Sequence, residues 1–183
     1  MEKQTESFGL NQIMPSFKLQ DAVSGNIVSS DDITGSKATI LFFICNHCPY
    51  VRHILPKLTE ISAKWQNESF QFVALSANDV DAYPEDSPAE MKKLAASFNW
   101  NFPYLYDQTQ EIFRLFKIAC TPEVIVFSGE NRCIYTGRFD DSRISSPATG
   151  EDLLAVLNAV NSNNQVPDKQ LPSIGCSVKW RET

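Results

Sequence analysis

The sequence has no apolar run approaching the roughly 20 residues that a membrane-crossing helix needs. No membrane span is therefore expected. It also has no cluster of Lys and Arg, and its 16 basic against 22 acidic residues leave a formal net charge of −6. That balance argues against nucleic acid as a partner, because phosphate binding rests on a localised positive face. A basic-then-apolar signal is missing from Met1-Glu2-Lys3-Gln4-Thr5-Glu6. Internal repeats and long linkers are missing too, so the 183 residues are expected to form one domain, 1–183. Within it, 1–36 reads as an N-terminal extension and 161–183 as a C-terminal tail. Five cysteines, an odd number at irregular spacing, are not the disulfide framework of a small secreted domain. A cytoplasmic protein with functional thiols is the expectation.

What is present is organised around Ile40-Leu41-Phe42-Phe43-Ile44-Cys45-Asn46-His47-Cys48-Pro49-Tyr50-Val51. The apolar run has the length of a buried parallel strand. After it, Val51, Ile54, Leu55, Leu58, Ile61 and Trp65 recur at helical spacing, and Pro49 suits a first helical turn. Cys45 and Cys48 therefore fall between a strand end and a helix start. Free backbone N–H groups and the helix dipole stabilise a thiolate there, and a protonated His47 adds positive charge between the two sulfurs. This placement reads as redox chemistry.

Earlier in the chain, Phe17, Leu19 and Ala22 with Gly25-Asn26 and Ile27-Val28 predict a short hairpin, and Ser29-Ser30-Asp31-Asp32 caps a helical turn. Pro56 is expected to kink the main helix. Phe70–Leu75 is the next strand, running out into a polar loop with Tyr83-Pro84-Glu85-Asp86. Ser87-Pro88-Ala89-Glu90 predicts a helix with a capping box. Phe102–Tyr106 is extended, and Thr109 is placed as the cap of a helix carrying Ile112, Phe113 and Phe116. Val124–Phe127 and Cys133–Thr136 flank a turn, a hairpin, and Thr149-Gly150 opens a last helix with Leu153, Leu154, Leu157 and Val160 inward. This order predicts an α/β fold with a central mixed sheet flanked by helices.

Strand, Cys45-Asn46-His47-Cys48, helix, and much later Ala119-Cys120-Thr121-Pro122 at a hairpin strand: this resembles the thioredoxin-like fold. The long interval between Cys48 and Pro122 is similar to the alkyl hydroperoxide reductase/thiol-specific antioxidant branch. The Phe43–Val51 segment with Gly175-Cys176-Ser177-Val178-Lys179-Trp180 resembles the bacterial peroxiredoxin-like redoxins. The resemblance implies a cis peptide at Pro122 facing the cysteines, with Thr121 presenting backbone groups to a substrate strand. Two departures matter. The strand before Cys45 carries no carboxylate where thioredoxins bury an aspartate, which makes Glu123 the candidate proton shuttle. The dipeptide is Asn-His, and a histidine there resembles disulfide isomerases and oxidases, whose disulfides are more oxidising than thioredoxin's.

The reading that follows is a thiol–disulfide oxidoreductase. Cys45, expected to be the more exposed sulfur, attacks a substrate disulfide, and Cys48 resolves the mixed disulfide. The partners implied are a protein or small-molecule disulfide or dithiol and a reductase or thiol donor; no cofactor is required. One alternative is a thiol peroxidase acting on small hydroperoxides. Its Pro-x-x-x-Thr-x-x-Cys motif is not met, since Cys48 is preceded by Leu41 and Cys45 at those positions and Cys45 by Ala38 and Phe42. The other alternative is a metal-binding or metallochaperone module using Cys45, Cys48 and His53, against which stands the lack of a second paired motif. Cys133 and Cys120 read as packing residues, and Arg138, Asp140, Asp141 and Arg143 as a solvated loop or a guide for substrate. Ile174, Val178 and Trp180 are expected to pin the tail. Cys176 is then either incidental or a second resolving thiol toward Cys45 or Cys120.

Overall fold

The computed structural model describes residues 8–182, so the first part of the N-terminal extension and the Met1–Glu6 segment lie outside the described residues. A hairpin of β1 (Lys18–Asp21) and β2 (Ile27–Ser29) opens the chain. It is followed by β3 (Ala38–Phe43), α1 (Pro49–Trp65), β4 (Phe70–Ser76), α2 (Pro88–Ser97), β5 (Tyr104–Tyr106) and α3 (Glu111–Leu115). A two-residue strand β6 (Cys120–Thr121), the hairpin β7 (Glu123–Ser128) and β8 (Cys133–Gly137), α4 (Glu151–Asn161) and a second two-residue strand β9 (Cys176–Ser177) complete it. Seven strands form one mixed sheet in the order β2-β1-β5-β4-β3-β7-β8. β3 pairs in parallel with β4 and antiparallel with β7, and β4 pairs in parallel with β5. This is the α/β thioredoxin-like arrangement that the sequence predicts.

All six residues of β3 are buried, which explains a continuous apolar run where a half-exposed strand would alternate. Successive side chains point to opposite faces. Ile40, Phe42 and Ile44 pack with Val51, Leu55 and Leu58 of α1 and with Leu153 and Leu157 of α4. Leu41 and Phe43 pack on the other face with Phe113, Phe116 and Phe17. Each such side chain contributes about 1.5–3 kcal/mol through burial. The strand and helix flanking the cysteines are thus anchored deep in the core.

Local expectations fare unevenly. The Ser29 turn forms with its capping box, Asp31 N–H donating to Ser29 Oγ and Ser29 N–H to Asp32 Oδ2. The Ser87–Glu90 box does not form, although Ser87 is the N-cap and Pro88 opens α2. Helix α1 runs through Pro56 as one helix. The N-cap position of α3 falls to Gln110, in the left-handed region; Thr109 Oγ1 accepts the Glu111 N–H at 3.4 Å, and the buried Asp107 accepts the Phe113 N–H at 2.9 Å. On α4, Val156 is buried, whereas Leu154 and Val160 sit at the margin of the core.

The tail is held along its length. Arg138 N–H donates to Leu171 O at 3.0 Å, and Val178 N–H to Ala119 O at 3.1 Å. Lys179 N–H donates to Asn78 Oδ1 at 2.9 Å, and the Arg114 guanidinium lies 4.2 Å from the centre of the Trp180 ring. Val178 is buried, as expected of a pin, but Ile174 is 71% exposed and pins nothing. β9 pairs antiparallel with β6, Thr121 opposite Cys176, which brings the tail to the start of the hairpin.

Candidate active site

β3, β4 and β5 run parallel, so the loops leaving their carboxyl ends meet at one edge of the sheet, where α/β folds place ligands. Cys45 lies just beyond β3. Cys48 is the N-cap of α1, and Pro49 occupies the first helical position, where a missing N–H leaves nothing unpaired. Thr121 stands over both sulfurs: its Oγ1 is 3.4 Å from Cys45 Sγ, and its carbonyl oxygen is 3.4 Å from Cys48 Sγ. The Thr121–Pro122 peptide is cis, as the resemblance implied. The structure places Cys45, Cys48, Thr121 and Pro122 side by side.

Exposure does not separate the two cysteines, at 1% for Cys45 and 0% for Cys48. Their electrostatics are coupled, each sulfur shifting the other. The hydrogen bond between the sulfurs, then burial, pushes the Cys45 thiol well above the ordinary thiol range, with Asp86 adding to the rise. The same hydrogen bond, against the cost of burial, brings Cys48 down to about 4, helped by Cys176 and by the Val51 N–H of the first helical turn. The pair shares one proton through the hydrogen bond between the sulfurs. Cys48 is the sulfur that caps the helix, and its Sγ–H can donate to Thr121 O, while Thr121 Oγ1–H can donate to Cys45.

The sequence reading missed Asp86. It is fully buried at the end of the β4 loop. Its Oδ1 accepts the Asn46 N–H at 2.7 Å and the His47 N–H at 3.1 Å; its Oδ2 accepts Asn78 Nδ2–H at 2.8 Å and pairs with His47 Nδ1. The His47 ring stacks on Tyr83, with centroids 5.1 Å apart and planes 9° from parallel. Tyr104 Oη–H donates to Asn46 Oδ1 at 3.1 Å, and burial raises its phenol so that it stays a donor. The positive charge expected of a protonated His47 is therefore matched by a carboxylate. A usable signal was present in the sequence: the loops after two adjacent parallel strands must meet, so a carboxylate in the second belongs near a Cys-x-x-Cys in the first.

Glu123, the candidate shuttle, is buried in β7 opposite Phe43 and accepts from Thr136 Oγ1–H at 3.4 Å. Burial pushes its carboxyl up to about 7, and its charge acts on Cys120. The carboxylate set against Cys45 is instead Asp86. Cys133 is buried, its thiol pushed up to about 12 by burial, as fits a packing residue. Cys120 is half-buried, 3.8 Å from Ser173 O.

The metal set of Cys45, Cys48 and His53 is not assembled, since His53 Nε2 turns away to Ser142 Oγ at 3.1 Å. The donors that do converge are those of Cys45, His47 and Asp86, within 4.8 Å of one another. The four partners of Asp86 already use the acceptor positions of its carboxylate, and a metal ion would have to displace them. In the charged loop, Asp140 Oδ2 accepts the Thr149 and Gly150 N–H groups at 2.7 Å each, and Arg138 pairs with Asp152 at 2.6 Å. These two hold the start of α4. A cleft of about 750 Å³ lies beside Pro122, lined by Tyr50, His53, Arg143, Ile144 and Ile174.

Two outcomes are expected. Ultraviolet titration of thiolate should show one thiolate forming with a midpoint near pH 4 in the reduced chain. Cys48→Ser should abolish it, and Cys45→Ala should move it upward by removing the S–H donor; a low-pH thiolate that survives Cys48→Ser contradicts the assignment. The second concerns Glu123, whose folded value lies above its ordinary 4.5, at about 7. Its contribution to stability is complete below the unfolded value and is lost as pH rises through the folded one, on the order of 3 kcal/mol. Thermal unfolding from acid to slightly alkaline pH should therefore show a fall in the native chain that flattens in Glu123→Gln. Parallel curves for the two would contradict it.

The AhpC/TSA family model matches residues 10–135. An uncharacterized conserved protein from Geobacillus kaustophilus has a TM-score of 0.94 at 42% identity, over 97% of this chain and 95% of that one. A hypothetical protein from Sinorhizobium meliloti 1021 has a TM-score of 0.92 at 33% identity, over 97% of this chain and 98% of that one. A secreted disulfide oxidoreductase from Mycobacterium tuberculosis shares the fold, with a TM-score of 0.59 at 16% identity over 80% of this chain and 95% of that one. No curated protein matches the sequence. The match over 10–135, with likeness along nearly the whole chain to the Geobacillus protein, makes this chain a member of the AhpC/TSA family, built on a thioredoxin-like fold.

Proposed function

We propose that the chain is a thiol–disulfide oxidoreductase working through Cys45 and Cys48. The observation that carries this reading is the pair itself: two sulfurs under Thr121, sharing one proton, with the low-pKa member at a helix N-terminus. A Cys48 thiolate attacks one sulfur of a substrate disulfide, forming a mixed disulfide and expelling the first substrate thiolate. Cys45 then gives up its proton to the neighbouring His47–Asp86 pair and attacks Cys48 Sγ. The Cys45–Cys48 disulfide forms and the second substrate thiolate leaves. Oxidation of a dithiol is the same path reversed. The roles of the cysteines are thus exchanged relative to the sequence expectation. Asp86 and His47 take the place considered for Glu123.

The substrate is a protein or small-molecule disulfide approaching through the cleft beside Pro122, and a thiol donor or reductase restores the dithiol. A peroxidase reading has less support, because neither cysteine is preceded by the proline and threonine that such chemistry uses. The test is reduction of insulin disulfides with dithiothreitol as donor. The full chain should accelerate it, and Cys48→Ser and Cys45→Ser should fall to background. A chain that consumes a small hydroperoxide with a thiol donor, yet leaves disulfides untouched, would falsify this reading.

A further inference from the structure

The tail sets a third sulfur on the pair. Cys176 Sγ lies 2.7 Å from Cys48 Sγ, closer than unbonded sulfur atoms ordinarily pack. The approach is built into the backbone, with Cys176 paired opposite Thr121, the residue that also touches both active-site sulfurs. Gly175 makes it possible, since a Cβ there would sit 1.9 Å from Thr121 O and 3.1 Å from Pro122 Cδ. The bonds of Val178 and Lys179 to Ala119 and Asn78 fix the strand just beyond Cys176. β9 also occupies the backbone edge at Thr121 that the sequence reading reserved for a substrate strand. Cys120 is the alternative partner from the sequence, but it sits opposite Ser177 and its sulfur faces Ser173 O.

We propose that Cys176 is a third redox residue of this site, exchanging with the Cys45–Cys48 disulfide to give a Cys48–Cys176 disulfide and a free Cys45. This rests on the oxidoreductase reading, which supplies the first disulfide. Cys176 loses its proton to solvent and its thiolate attacks Cys48 Sγ. The Cys48–Cys176 bond forms as the Cys45–Cys48 bond breaks, and the electron pair leaves on Cys45 Sγ, which takes up a proton. One disulfide is present before and after, so no further oxidant is consumed. The product fixes covalently the tail strand already paired at Thr121. It also returns Cys45 to the thiol state, and reduction by a thiol donor restores the free cysteines.

The experiment oxidises the full chain with oxidised glutathione, quenches with acid, alkylates free thiols, and maps peptides without reduction. The native chain should yield a Cys48–Cys176 bridged peptide with alkylated Cys45, beside the Cys45–Cys48 bridge. Cys45→Ser should form Cys48–Cys176 as its internal bridge, and Cys176→Ser should lose that peptide and keep Cys45–Cys48. If the native chain holds only Cys45–Cys48 with Cys176 fully alkylated, and Cys45→Ser accumulates a glutathione adduct, the third-thiol proposal is overturned while the oxidoreductase reading stands. If Cys176→Ser forms no Cys45–Cys48 bridge either, both fall together.

Discussion

The buried carboxylate of Asp86 holds the cysteine loop in its working shape. Two backbone N–H groups of that loop, from Asn46 and His47, end on one of its oxygens, and the Asn78 amide and the His47 ring end on the other. The loop makes a sharp passage from a buried strand to a helix, and its backbone donors have no ladder partner there. Leaving one such group unpaired costs about 1–3 kcal/mol. A single carboxylate therefore ties the loop after β3 to the loop after β4, and the stacking of Tyr83 on His47 closes the same contact from outside.

Fixing that loop fixes the charges. Asp86 stands near Cys45 and disfavours a thiolate on it, whereas Cys48 caps α1 and meets the Val51 N–H. Two thiols this close cannot both ionise, so the environment decides which one does. Cys48, the sulfur at the helix cap, is the one that also faces the tail. Cys48 is then the hub: Cys45 lies on its loop side and Cys176 on its tail side. A thiolate stabilised in the reduced state makes the corresponding disulfide a stronger oxidant.

Most of the fold was legible because its signals are local. Continuous apolar runs gave β3 and β4, helical spacing gave α1, and turn residues gave both hairpins. Cys45, Cys48, Thr121 and Pro122 were legible as a set because each sits at an element boundary with a marked residue type. Asp86 was not, since it lies in a polar loop whose meaning depends on which strands are neighbours. The third sulfur beside the pair was also hard to read, because it belongs to a tail residue 128 positions beyond Cys48. The Ser87 box failed, and Thr109 shares the α3 start with Asp107, because capping patterns offer partners and tertiary packing chooses among them.

A stabilised thiolate in the pair is tested most directly by the reduction potential of the Cys45–Cys48 couple. The measurement is an equilibrium titration of the full chain against glutathione mixtures, read as alkylated mass, with Cys176→Ser alongside to isolate the pair. A single two-electron transition is predicted in Cys176→Ser, with a midpoint more oxidising than the roughly −270 mV of thioredoxin. A midpoint more reducing than that, or a pair that stays reduced in oxidised glutathione, would contradict the account.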